Sequence, residues 1–227
     1  LFFDAETGRL RWYDQVTPHD VRDHDFQLSP LLVSSGGTRL VIGAGKGGVV
    51  IAWNRSNHRR VWQAEVGLHR NDRGPLPDQS VSVCPGLFGG VETPMAYADG
   101  TVFLGGPFIQ VGGQQREGLA EVDAGTGAVT PFHDDAEGEV WTLADADGKL
   151  YVGGSFQAIG GVPRARLAAI LPGLGGQVTP FDPNFDGTVR ALLVRDGTLY
   201  ASGDFHHVLN AIPRAFLAAF DLGNLSL

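Results

Sequence analysis

Cysteine is nearly absent from this 227-residue chain: Cys84 stands alone, so no intrachain disulfide can form and the redox compartment stays open. Lysine is almost as scarce. Only Lys46 and Lys149 occur, against fifteen arginines, and with 25 acidic residues the formal net charge is −8. A chain this acidic, with no stripe of clustered basic residues, excludes nucleic acid as a partner, because phosphate binding demands such a stripe. No run of eighteen apolar residues is present, so a membrane-spanning helix is also excluded, and the first residues, LFFDAETGRL, do not read as a secretory leader. The sequence carries no initiating Met, so the ends leave localisation open.

What is present in quantity is turn punctuation. The 33 glycines and 13 prolines recur at fixed places between β-forming runs, which marks them as turns rather than disorder, and 43% hydrophobic residues is enough for a packed core. The segments DGTVFLGGPF (99–108), DGKLYVGGSF (147–156) and DGTLYASGDF (196–205) align without gaps at spacings of 48 and 49 residues, and SGGTRLVIGAG (35–45) is an earlier, looser copy. Each Asp-Gly or Gly-Gly joins two apolar runs, the signature of a tight β-hairpin whose primed turn needs positive φ. A second unit, FDAETGRLRW (3–12), is echoed by WNRSNHRRVW (53–62) and VDAGTGAVTPF (122–132), with looser copies at 170–181 and from 220 onward. A repeat of roughly 50 residues holding two hairpins is one four-stranded propeller blade. The expectation is therefore an all-β, single-domain β-propeller of four-stranded antiparallel blades, about five in number. Four would be full and one split, with roughly eighteen strands in all. The unpaired N-terminal hairpin is expected to close the ring against the C-terminal strands, or else to support self-association.

The two halves resemble different families. FDAETGRLRW, QVTPHDVRDHDFQLSP (15–30), GAGKGGVVIAW (43–53) and LFGGVETPMAYADGTVF (87–103) resemble the PQQ-binding-like quinoprotein propellers. LYVGGSFQAIGGVPRARLAAI (150–170), VTPFDPNFDGTVRALLVRDGTLYASGDF (178–205) and IPRAFLAAF (212–220) resemble an uncharacterised bacterial propeller-repeat family found in large secreted proteins. Residues 1–103 and 104–227 thus look like blades of two ancestries, naturally recombined or deliberately engineered, within one domain. The resemblances imply secreted or periplasmic relatives. The quinoprotein enzymes hold a quinone with Ca²⁺, an Asp base and often a vicinal disulfide; a single Cys84 forbids that disulfide, and Arg22 stands where relatives carry Trp. The chain is accordingly expected not to be an enzyme and to bind no cofactor.

Among polar clusters the densest is His19, Asp20, Asp23, His24 and Asp25, a donor set suited to Zn²⁺ or Ca²⁺ if it converges, and otherwise a solvated crossing loop. Asp145, Asp147 and Gly148 mimic the start of a calcium loop, but no Glu stands at its twelfth position, and a hairpin turn is the expectation. Residues 45–48 lack the spacing of a phosphate loop. The Gly-Gly pairs at 105–106 and 153–154 are expected to serve close backbone packing. His206 and His207 read as an exposed connector. An insertion at 68–90 stretches the local repeat from about 49 to about 69 residues, and its meeting with the axial channel is the expected place for any ligand. Trp12, Trp53 and Trp62 are read as packing residues.

Overall fold

The computed structural model describes all residues except 18–21, 23, 76–77, 87–88 and 225, together with the side chain of Leu174. Apart from one 3-10 turn at Pro172–Leu174, the regular structure is all β. Strands β1 (Phe2–Phe3) and β2 (Leu10–Trp12) form the N-terminal hairpin. Meander I follows, with β3 (Leu31–Ser35), β4 (Thr38–Gly45), β5 (Val49–Asn54) and β6 (Arg60–Glu65) paired in sequence order. Meander II begins with β7 (Ala96–Ala98) and β8 (Thr101–Gly105). The chain then detours through a short ribbon, β9 (Gln110–Val111) and β10 (Gln114–Gln115), before β11 (Leu119–Asp123) pairs back on β8.

Meander III repeats the pattern. Its strands are β12 (Val140–Ala146), β13 (Lys149–Gly154), the ribbon β14 (Ala158–Ile159) and β15 (Val162–Pro163), then β16 (Leu167–Leu171) and β17 (Gln177–Val178). Meander IV has β18 (Val189–Arg195), β19 (Thr198–Gly203), the ribbon β20 (His207–Val208) and β21 (Ile212–Pro213), and β22 (Leu217–Asp221).

The hairpin turns follow from local chemistry. Asp147 and Gly148 sit at φ 51° and 69°, and Asp196 and Gly197 at 51° and 73°, both central residues left-handed as a type I′ turn requires. In the second hairpin type a side chain does the work: Asp123 Oδ1 accepts from the Thr126 backbone N–H at 2.8 Å and the Gly125 N–H at 3.1 Å, and Gly127 takes φ 73°. Asp4 and Asn54 make the same cap, with His58 in the left-handed position that Gly8 and Gly127 fill elsewhere.

Each meander is apolar on both faces, so it must be covered on both. Leu40 and Ile42 of meander I pack with Val102 and Leu104 of meander II. Phe103 and Leu119, on the opposite face of meander II, pack with Leu150, Val152 and Ile170 of meander III. Tyr151, Leu167 and Ala169 then pack with Leu199, Ala201 and Phe220 of meander IV. The result is a propeller-like stack. Glycines let neighbouring backbones close up: a Cβ at Gly154 would collide with the Glu139 carbonyl and one at Gly203 with that of Thr188, as the expected close packing requires.

Two expectations are corrected. The N-terminal hairpin does not close a ring; it pairs with no C-terminal strand among the described residues and lies instead on the face of meander I, where Phe2, Trp12 and Trp53 form a chain of ring contacts at 4.7 and 6.0 Å. The nearest apolar face captures it. The strand count also differs from eighteen, because three ribbons were unforeseen, while the fourth strands of meanders II and IV shrink to the Val122–Val129 bridge and the Asp221 N–H to Ser226 O bond.

The ribbons stitch one meander to the connector before it. Val111 bridges Val66, Ile159 bridges Ala136, and the Leu209 N–H donates to Pro183 O at 2.7 Å. Arginines brace them: Arg116 Nη2 donates to Thr130 O at 2.8 Å and Arg164 Nη2 to Thr179 O at 2.7 Å. Arg214, their counterpart, reaches only Pro213 O among the described residues. Arg164→Met, which leaves the Thr179 carbonyl without this charged donor, is therefore expected to cost about 2 kcal/mol. Arg214→Met should change stability by less than about 0.5 kcal/mol. Urea denaturation midpoints of the two variants check the contrast, and equal losses would refute the bracing role.

Candidate binding site

The turn between β4 and β5, at residues 45–48, is where three segments converge. It must be tight, since a Cβ at Gly48, which has φ 68°, would collide with Val66 O and Pro85, and one at Gly47 would press on His24. His24, 6% exposed, places its Nε2 3.3 Å from Pro85 O. Lys46 Nζ pairs with Asp25 Oδ2 at 2.9 Å, and the Lys46 backbone N–H donates to Gln27 Oε1 at 3.2 Å. Gln27 Nε2 in turn donates to Glu92 Oε2 at 3.5 Å. Glu92 Oε1 is buried with no hydrogen-bond partner, and burial raises its carboxyl above the ordinary range against the pull of Lys46. The string of Asp25, Lys46, Gln27 and Glu92 offers one cation and several acceptors at the edge of the 66–90 segment.

Of the five residues proposed for metal, His19, Asp20 and Asp23 lie outside the described residues. His24 and Asp25 are engaged as given above, and among the described residues no group of three His, Cys, Asp or Glu converges as a metal site.

Polar contacts hold several described residues of the inserted loop. His69 Nδ1 lies 2.5 Å from Asp72 Oδ2 and its Nε2 3.1 Å from Gly48 O, so both ring nitrogens are occupied. Arg70 and Cys84 exchange both backbone hydrogen bonds, at 2.8 and 2.9 Å. Arg22 Nε donates to Asn71 O at 2.9 Å, clamping the crossing segment onto the loop. Leu68, Cys84, Pro85, Gly90, Phe108 and Ile109 line a cavity of about 460 Å³ between the loop and the approach to β9. A second cavity, about 670 Å³, opens between the N-terminal hairpin and meander I against Phe2, Trp12, Phe26 and Trp53. Its polar edge is Asp14, which accepts from Trp53 Nε1 at 2.7 Å and from Arg60, and the Arg60 bond holds its carboxyl below the usual range.

The tryptophans pack, as expected: Trp62 Nε1 donates to Ala124 O at 2.9 Å across meanders I and II. The turn at Asp147 and Gly148 is a hairpin turn, with Asp145 pushed up by burial and by the Asp99 and Asp147 charges. His206 and His207 are both exposed, as expected of a connector, but the segment is more structured than a loop. His207 belongs to β20, and Asp186 accepts both backbone N–H groups at 2.8 and 2.9 Å and approaches His207 Nδ1 at 2.9 Å. Those donors hold the Asp186 carboxyl far below its ordinary range. The ribbons carried a legible sign, a Gly-Gly between β-formers at 112–113 and 160–161, which repeats the hairpin signal already used elsewhere.

Residues 146–168 match a family model described as a domain of unknown function (DUF5122) beta-propeller, covering β13, the ribbon β14–β15 and the start of β16. No curated protein matches. Among solved structures, the computationally designed Ika8 protein is similar at TM-score 0.49 and 13% identity, over 84% of this chain and 45% of that one. The computationally designed Ika4 protein is similar at TM-score 0.49 and 14% identity, over 93% of this chain and 100% of that one. BamB from Moraxella catarrhalis is similar at TM-score 0.46 and 16% identity, over 88% of this chain and 62% of that one. The chain thus spans less than half of Ika8 and under two thirds of BamB.

One buried carboxylate is left over. Asp134, 8% exposed, lies so close to Gly160 and Gly176 that a Cβ on either would strike its carboxyl group, and its Oδ2 has no hydrogen-bond partner. Burial pushes it up to about 6, with His133 opposing and Asp135 reinforcing. Because the folded value exceeds the unfolded one, this group disfavours the fold as pH rises from about 4 through 6 and beyond. Asp134→Asn is expected to stabilise the protein at pH 8 by on the order of 2 kcal/mol and to make little difference at pH 4. Thermal or urea unfolding across that range measures it; a gain that is the same at every pH would show that ionisation is not the cause.

Proposed function

We propose that this chain is a non-catalytic propeller scaffold, with about five blades if the N-terminal hairpin is counted as a partial one. The observation that supports this most directly is that several of its histidine, aspartate and arginine side chains are engaged in structural bonds. His69 is tied to Asp72 and Gly48, His207 to Asp186, Asp14 to Trp53 and Arg60, and Arg116 and Arg164 to backbone carbonyls. General acid–base or nucleophilic chemistry needs a base within reach of a nucleophile, and the contacts made by these groups are to backbone carbonyls, an indole N–H and charged partners rather than to a Ser, Thr or Cys nucleophile.

Hybrid ancestry has support of its own kind. Meander I joins β4 to β5 by a tight glycine turn, whereas meanders II, III and IV each insert a ribbon at the same point, and the family match falls within the ribbon-bearing part. The break between the two designs follows β8, beside the seam near Phe103. Blades tolerate such exchange because each contacts mainly its neighbours. Whether the exchange was natural or engineered, the reading is the same.

A second reading is an extracellular binding module, favoured by the cavity of about 460 Å³ beside the 68–90 loop, with the Lys46 string next to it. A quinone- and calcium-dependent dehydrogenase is the third, and a direct test separates it. Titration with PQQ and Ca²⁺, followed by a dye-reduction assay, is expected to show neither saturable binding nor turnover. Saturable binding without turnover would move the assignment to the binding module, and turnover would end the scaffold reading.

A further inference from the structure

The face-to-face packing of the meanders repeats, and its repetition stops at both ends of the stack. On the face that each meander turns toward the next, Phe103, Tyr151 and Tyr200 occupy one equivalent position. Phe103 and Tyr151 are 0% exposed beneath the following meander, whereas Tyr200 is 39% exposed. Leu193 and Leu217 lie on the same side of meander IV as Tyr200, by their register with Tyr200 and Ser202, and each is 58% exposed. The equivalent of Leu217 in meander III, Leu167, is fully buried.

The opposite end shows the matching half. On the face turned toward the preceding meander, Val122, Ile170 and Phe220 are equivalent and 0 to 1% exposed. Their counterpart in the N-terminal hairpin is Phe3, one residue before the capping Asp4 as Val122 is one before Asp123, and it is 57% exposed. Its cross-strand partner Leu10 is 50% exposed. Phe2 and Trp12, the other pair of this hairpin, already face meander I.

Within the chain, these two kinds of surface cover each other. Tyr151 reaches Phe220 through Phe181, with ring centroids 5.9 and 5.6 Å apart, so an aromatic on the forward face meets an aromatic on the backward one. Meander IV therefore lacks the kind of surface that the N-terminal hairpin displays. We propose that a second copy of this chain docks head to tail, the Phe3 and Leu10 side of its hairpin covering Leu193, Tyr200 and Leu217 of meander IV. The two halves are different surfaces, so the contact is heterologous, and it closes into a ring of copies or propagates. Burial of these large side chains removes apolar surface of the kind that monomers seldom leave contiguous.

The test is the mass in solution of the whole chain and of two charge variants, Phe3→Asp and Leu217→Asp, each placed at an exposed position. The wild type is expected as a multiple of 24.1 kDa at concentrations on the order of 100 μM. Each variant alone should fall to the monomer mass, and an equimolar mixture should recover a one-to-one pair, because one partner keeps its head and the other its tail. A monomeric wild type overturns the proposal. So does a wild-type assembly that survives Phe3→Asp but is lost in Leu217→Asp, since that pattern belongs to meander IV pairing with itself. Circular dichroism identifies a variant that fails to fold, and Tyr200→Asp or Leu10→Asp then replaces it.

Discussion

A β-sheet that is apolar on both faces cannot stand at the surface without exposing half of what it would bury. That constraint organises this molecule. Leu40 and Ile42, Phe103 and Leu119, and Tyr151 and Leu167 each disappear beneath the following meander. At roughly 25 cal/mol for each Å² of apolar surface removed from water, the junctions rather than the hairpins dominate stability. Close approach depends on glycine where a carbonyl of the next connector lies almost on the backbone, as at Gly154 and Gly203.

The polar groups serve that stack. The ribbons bridge backward to the previous connector, and Arg116, Arg164 and Asp186 fasten them through hydrogen bonds to backbone groups. Much of the histidine, arginine and aspartate chemistry is spent on holding geometry. Glu92 and Asp134 are exceptions, buried carboxylates each with an unpaired oxygen. Glu92 stands at the junction of the 45–48 turn and the inserted loop, where charge, an open cavity and a long insertion coincide.

Much of this was legible in the residues. The Asp-Gly turns need only local φ, so Asp147, Gly148, Asp196 and Gly197 behave as the pattern requires. The Asp-x-x-Thr-Gly caps are equally local. The ribbons are harder to read, because strands of two residues leave no hydrophobic periodicity, although each pairs locally across its own turn. His207 is exposed, as its connector position suggests, while its tie to Asp186, 21 positions away, is beyond local reading. For the acidic and histidine cluster, density says nothing of convergence; of its five residues only His24 and Asp25 are described, and they contact Pro85 and Lys46.

What the sequence by itself determined is the repeated unit, its turns and its principal strands. These depend on interactions within a few residues or on a period that the eye can follow. Only the tertiary structure decided how the series ends. The N-terminal hairpin carries the same motif as the later copies, yet it lies on meander I because Trp53 offers the nearest aromatic face, and Tyr200 is exposed where Phe103 and Tyr151 are buried. Identical local chemistry is buried or exposed according to whether a neighbour stands beside it, which no single repeat encodes.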